Sequence, residues 1–258
     1  MQMNDSERFE RLTERLSRQM KIAELGPEGQ RRIVAAKFLV IGAGGLGSPA
    51  LLALAAGGAS HITIVDHDEV SESNLSRQFL HDAASIGRNK AENAAEELLR
   101  WNPVLDARAV SCRMNGEGDL APLVREADIV LDCSDNLATR QLVNRVCRAE
   151  RRPLVFAAAV RMNAQITVFD FRDPESACYR CLFEEDDAEN DEKASTFGVF
   201  TALTGTVGML QACEAMKLAA GFGRPLTGRL LMVDLLNMEM REMRYRRRAS
   251  CPCCGSGR

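Results

Sequence analysis

Short apolar runs alternate with stretches of helical period through the first 160 residues. Residues 38–41, 61–66, 104–110, 128–132 and 153–159 are brief and rich in Val, Ile and Leu, as strands buried on both faces are. Between them, residues 48–56, 90–99 and 138–150 read as helices. Ahead of the first strand, Phe9, Leu12, Leu16, Met20 and Ile22 recur about once per helical turn, with a break at Gly26-Pro27. The rhythm changes after residue 160: residues 160–173 and 230–246 read as strands in succession, the second alternating at Met238, Met240 and Met243. Between these lie the acidic run 184–193 and the apolar helix 204–220, closed by Gly221.

This order predicts an α/β fold: a Rossmann-like, mostly parallel sheet extended by antiparallel strands and preceded by a helical arm. With 258 residues, no internal repeat and no proline-rich linker, one domain with appendages is the economical description. Its parts are an arm over 1–36, a nucleotide-binding part over 37–159 and an antiparallel part over 160–258.

Charge excludes some partners. A net charge of −3 and a pI near 5.8 supply no global basic field for nucleic acid or an anionic membrane. The basic run Arg244-Tyr245-Arg246-Arg247-Arg248 reads as a solvated strand face. The most apolar stretch, 46–64, is broken by glycines, a proline and a histidine, and no charged-then-apolar leader opens the chain, so a cytoplasmic protein is expected.

A reducing compartment turns the nine cysteines toward metal binding or burial. Cys178 and Cys181, with Cys251 and Cys254, form two C-x-x-C knuckles whose thiolates suit one tetrahedral Zn²⁺, with reduced thiols or a redox pair as the alternative. Cys112, Cys133, Cys147 and Cys213 have apolar neighbours and read as small core residues, leaving Cys253 spare.

The candidate chemistry centres on Gly42, Gly44 and Gly47, at G-x-G-x-x-G spacing between a strand and a helix. Such a turn lets backbone approach a phosphate, and the following helix N-terminus adds roughly half a positive charge. Asp66, ending the second strand, stands where a ribose-binding carboxylate is expected. Arg77 and Lys90 then flank the pocket, which suits a triphosphate better than a dinucleotide. Asp132 and Asp135 fall at a strand end where Mg²⁺ or ribose could be met, although one of them could instead cap the next helix.

Together these landmarks resemble the MoeB/ThiF family of sulfur-carrier adenylyltransferases, relatives of ubiquitin-activating enzymes. The resemblance spans nearly the whole chain and rests on Arg18-Gln19, GAGGLG at 42–47, Asp66, SNLSRQ at 73–78, Lys90, DCSDN at 132–136, RMNAQITVF at 161–169 and both cysteine pairs. It implies ATP on Gly42, Gly44, Gly45 and Gly47, with Asp66 on the ribose and Asn74, Arg77, Gln78 and Lys90 around the phosphates. Asp135, with Asn136 beside it, would hold Mg²⁺ or position the triphosphate. Arg18 would cross from the neighbouring subunit of a homodimer, and Cys178, Cys181, Cys251 and Cys254 would hold a structural Zn²⁺. The implied reaction is adenylation of the C-terminal glycine of a small ubiquitin-like sulfur carrier ending in Gly-Gly.

Relatives often carry a cysteine in the crossover loop, where this chain has Ala194. The resemblance therefore implies adenylation without a covalent carrier adduct on this loop, and it points to the small subunit of molybdopterin synthase over a thiamine-pathway carrier or a carrier for another sulfur-containing metabolite. From a different class, an NAD(P)-dependent oxidoreductase would also use the glycine turn and Asp66, but would leave Arg18, Arg77 and Lys90 without a role. A non-catalytic scaffold that binds a carrier is a further alternative.

Overall fold

In a computed structural model, residues 3–183 and 197–255 are described. The arm comprises α1 (Asp5–Leu12), α2 (Ser17–Met20) and α3 (Gly26–Ala35). The parallel part follows as β1 (Lys37–Ile41), α4 (Gly47–Ala56), β2 (His61–Val65), α5 (Lys90–Trp101), β3 (Asp106–Val110), α6 (Glu117–Glu126), β4 (Ile129–Asp132), α7 (Leu137–Ala149) and β5 (Leu154–Val160). The remainder contributes β6 (Asn163–Phe169), α8 (Tyr179–Leu182), α9 (Thr201–Ala220), β7 (Arg229–Asp234) and β8 (Glu239–Arg244).

One sheet runs β3-β2-β1-β4-β5-β6-β7-β8. Its first five strands are parallel. The β5–β6, β6–β7 and β7–β8 pairs are antiparallel. The expected parallel sheet with an antiparallel extension is therefore present. Residues 160–173 differ from a single new strand: Val160 ends β5 and pairs with Asn163 across a two-residue reversal, with Arg161 at φ 54°. Residues 230–246 likewise divide into the β7–β8 hairpin.

Alternation along the buried strands feeds two cores. Phe38, Val40, Ile62, Ile64 and Leu131 pack with α4, α5 and α9 on one face. Leu39, Ile41, Val130, Leu154 and Phe156 pack with α6, α7 and the cysteine knuckle on the other. α9 fits so closely on α4 that a Cβ at Gly208 would lie 2.4 Å from the Leu46 carbonyl oxygen. The helix stops at Gly221, whose φ of 72° is open to glycine at no steric cost.

The arm packs on its own chain, with Phe9, Leu12 and Leu16 buried against Val34 and Val104. It covers the amino ends of the strands: Asp5 Oδ1 meets His61 Nε2 at 2.7 Å where β2 begins, and Arg8 Nη1 donates to the Val104 carbonyl ahead of β3. Ile22, expected on the packed side, is 49% exposed.

Two further expectations are corrected. Cys133 and Cys147 are buried, but Cys112 and Cys213 are exposed, because Cys213 lies on the outer side of α9 while Ala212 and Ala215 beside it are buried. The basic run leaves the strand at Arg244: Tyr245 Oη meets Thr167 Oγ1 at 2.6 Å, and Arg247 Nε donates to the Cys254 carbonyl at 2.9 Å.

Gly208→Ala should lower stability by about 1–3 kcal/mol, since overpacking must push α9 off α4. Gly118→Ala, on α6 with nothing within 4 Å of the new methyl, should raise it by roughly 0.5–1 kcal/mol. Chemical denaturation of both variants checks the pair.

Candidate active site

The glycine turn lies at the carboxyl end of β1, where the strand order reverses between β2 and β4. Gly42 takes φ 96°, and a Cβ there would meet the Cys133 carbonyl oxygen at 2.8 Å. A Cβ at Gly47 would lie only 1.9 Å from the Gly42 carbonyl oxygen, so these positions require glycine for closure of the turn.

Ala43 between them is fixed from both sides. Its N–H donates to Asp66 Oδ2 at 2.7 Å, and its carbonyl accepts from Ser48 Oγ at 3.0 Å. His81 Nε2 also meets that carbonyl at 3.0 Å, while Asn93 Nδ2 donates to His81 Nδ1 at 2.9 Å. This fixes the proton on Nε2. Burial, helped by the charge of Lys90, holds the imidazole below its ordinary pKa and outweighs its bond to Ala43. Neither His81 nor Asn93 stands out in sequence, because both act across distant backbone.

Asp66 is 9% exposed, and its second oxygen accepts from the Asp68 N–H at 2.9 Å. Each carboxylate oxygen keeps a lone pair for another donor. Arg77 and Gln78 sit over the turn: a Cβ at Gly45 would be 3.4 Å from Arg77 Cδ, and one at Gly44 would be 3.5 Å from Gln78 Nε2. Gln78 Oε1 is buried without a partner among the described residues, an acceptor the folded chain leaves unsatisfied. Arg77 Nη1 donates to the Ser73 carbonyl at 3.0 Å, and Asn74 Oδ1 accepts from Ser71 N–H at 3.2 Å.

Lys90 is buried and its Nζ pairs with Asp68 Oδ2 at 2.8 Å, a partner the sequence reading did not include. Burial would raise the Asp68 carboxyl, but the hydrogen bond and charge of Lys90 prevail and hold it below its usual range. An anion entering the site must therefore share Lys90 with Asp68.

After β4, Asp132 is fully buried and Asp135 is exposed. Asp132 Oδ1 accepts from the Ser134 N–H and hydroxyl at 3.0 and 2.6 Å, while Oδ2 has no partner among the described residues. Burial pushes the Asp132 carboxyl above its ordinary value against the pull of Arg140. Neither aspartate caps α7. Asn136 does, accepting from the Thr139 N–H at 2.9 Å, so its oxygen is already engaged. Gln211 on α9 braces this loop by donating to the Asp132 carbonyl at 2.9 Å.

Beside the loop, on the face of β5–β8 nearest α7, opens a cavity of about 550 Å³. Arg140, Asn163, Gln165 and Asn237 line it, with Asp234 and Glu239.

Arg18 is not gathered into this site. It is exposed on α2, in the arm at the amino ends of the strands, opposite the glycine turn, and makes no hydrogen bond or ion pair with the described residues. Ala194 and most of the crossover loop lie outside the described residues.

The ligating atoms of Cys178, Cys181, Cys251 and Cys254 lie within 4.8 Å of one another and are buried. Cys178 and Cys251 Sγ are 3.7 Å apart, close to the edge of a tetrahedron with metal–sulfur bonds of about 2.3 Å. The Arg248 N–H donates to Cys181 Sγ at 3.3 Å. Cys253 is not spare, since Asn144 Nδ2 donates to its Sγ at 3.4 Å.

A doubly wound sheet with a glycine turn, flanking cations and an adjoining polar cavity defines a nucleotide-binding α/β protein. The ThiF family profile matches residues 16–253, and the chain belongs to that family. It is 41% identical to molybdopterin-synthase adenylyltransferase of Escherichia coli K12 over 93% of this chain and 96% of that protein. It is 42% identical to SAMP-activating enzyme E1 of Haloferax volcanii, over 95% of this chain and 89% of that one. Among solved structures, E. coli MccB with AMPCPP and MccA superposes with a TM-score of 0.82 at 25% identity, covering 93% of this chain and 74% of that chain. No helix among the described residues is long and apolar enough to cross a membrane.

Gly47→Ala should abolish nucleotide binding, because the new methyl overlaps the Gly42 carbonyl and opens the turn. Titration calorimetry with ATP, with circular dichroism to verify the fold, checks this outcome.

Proposed function

We propose that the protein adenylates the C-terminal glycine carboxylate of a small ubiquitin-like sulfur carrier ending in Gly-Gly, using ATP and releasing pyrophosphate. One observation carries the reading: the glycine-turn site with its cations and an amide-lined cavity open beside the same β4–α7 loop. A nucleotide and an extended peptide end can meet there. The names of the relatives agree, and the carrier proposed is the small subunit of molybdopterin synthase.

In this reading Gly42, Gly44, Gly45 and Gly47 cradle phosphate, and Asp66 takes the ribose. Asn74, Arg77, Gln78 and Lys90 surround the triphosphate. Asp135 is an exposed anion at the site, as is Asp68 on Lys90, with Asn136 holding the Asp135 loop to α7. Mg²⁺, when bound there, would offset phosphate charge. The carrier carboxylate oxygen attacks the α-phosphorus, the bond to the bridging oxygen breaks, and pyrophosphate departs. The attacker is already an anion, so no base or protein nucleophile is needed, and the protein aligns the groups and screens their repulsion.

The placement of Arg18 at the opposite strand ends supports action in trans within a homodimer, since its own site is out of reach. The chain would work as one adenylation domain, with an arm, a nucleotide part and a carrier-binding antiparallel part. The four-thiol cluster would hold Zn²⁺, whose preference for closed tetrahedral sulfur sites matches the donors.

Carrier-dependent ATP–pyrophosphate exchange tests the activity. Exchange should appear with the molybdopterin-synthase small subunit, and Arg77→Ala or Lys90→Ala should cut it by about 10²–10³-fold. Exchange with no Gly-Gly carrier, together with NADH binding, would overturn the reading. Mixing inactive Arg18→Ala and Lys90→Ala dimers should restore about a quarter of the sites if the arm acts in trans; no recovery after subunit exchange would place the arm elsewhere. Elemental analysis of protein purified without chelator should find one zinc per chain, lost in Cys251→Ser.

A further inference from the structure

We infer that Arg140 receives the terminal carboxylate of the carrier's tail, an assignment that rests on the activation reading above. Arg140 stands on the first turn of α7, so it lies where the cavity meets the Asp135 loop. The other cation lining the cavity, Arg241, is ion-paired with Glu239. Arg140 has no ion pair with a described carboxylate; Asp132, whose charge it feels, already spends one oxygen on Ser134. Its Nη2 donates to the Ser134 carbonyl at 3.2 Å, and its Nε is buried without a partner among the described residues. The guanidinium lies 5.8 Å from the centre of the Phe156 ring, which steadies its plane.

The ligand class follows from this setting. Asn163 and Gln165 offer side-chain amides, each able to donate and accept, as an extended peptide backbone requires, while Asn237 Nδ2 already donates to Asp234 Oδ2 at 2.8 Å. Ala158 and Ala159 leave room beside them. A Gly-Gly end brings no side chain, so its one charge is the carboxylate. A planar guanidinium fork matches that group in shape and sign. Placing the fork here also lessens the repulsion the carboxylate meets on approaching a triphosphate.

A brace for Ser134 alone would use Arg140 without regard to the carrier's terminus, and this difference is measurable. Full-length protein with AMPCPP would be titrated with fluorescent molybdopterin-synthase small subunit, bearing either its free Gly-Gly carboxylate or a C-terminal amide. The wild type should bind the carboxylate form about tenfold more tightly. Arg140→Gln, which keeps an N–H for Ser134, should bind both forms within twofold of each other, with AMPCPP affinity and melting temperature unchanged. Arg140→Lys should retain part of the preference, and it serves as the readout if the glutamine variant does not fold. An undiminished preference in Arg140→Gln or Arg140→Ala, or none in the wild type, would overturn the assignment. Failure of either form to bind the wild type would overturn the activation reading, and this inference with it.

Discussion

Everything at the site depends on how closely β1 can be joined to α4. With a Cβ at Gly47 only 1.9 Å from the Gly42 carbonyl oxygen, any side chain would pry the helix from the strand end. The closure directs the amino end of α4 toward the space where phosphates would lie, and it holds Ala43 within reach of Asp66 and His81. The second strand is thereby tied to the first at its chemically active end. Preorganisation of this kind lets backbone donors act without rearrangement when a ligand arrives.

Around that turn part of the charge is already paired before any nucleotide enters. Lys90 is matched by Asp68, and Arg140 lies in the field of Asp132 without an ion pair to it. A triphosphate would compete with Asp68 for its cation, so a well-charged ligand is favoured over a weakly charged one. The carboxylates also explain how so many cations remain close together in a protein whose net charge is −3.

Local signals made most of the architecture legible. The runs ahead of Gly42 and up to Asp66 and Asp132 are apolar because both sheet faces are covered, and each of these strands was anticipated to within a residue or two at its ends. The helix α6 was not, since Gly118 and Pro122 weaken its propensity; it forms because Leu120, Leu123 and Val124 find the second core. Periodicity also gave no sign that Arg247 would turn back to the Cys254 carbonyl, or that Cys213 would fall on the exposed side of α9. The glycines, Asp66, Arg77 and Lys90 could be read from their order along the chain. Asp68, His81, Gln211 and Arg140 could not, because their meaning comes from groups tens of residues away. Arg18 shows a third situation, in which a motif is readable but its own chain holds it at the far end of the sheet.

The cysteine knuckle joins residues 73 positions apart, and the segment it encloses contains α9, β7 and β8. Those elements supply one wall of the cavity and the brace on the β4 loop, whereas the glycine turn, Asp66 and Lys90 lie outside the enclosed segment. Closure of the cluster therefore holds the cavity wall and the loop brace at their chain ends, while the glycine turn is built without either knuckle.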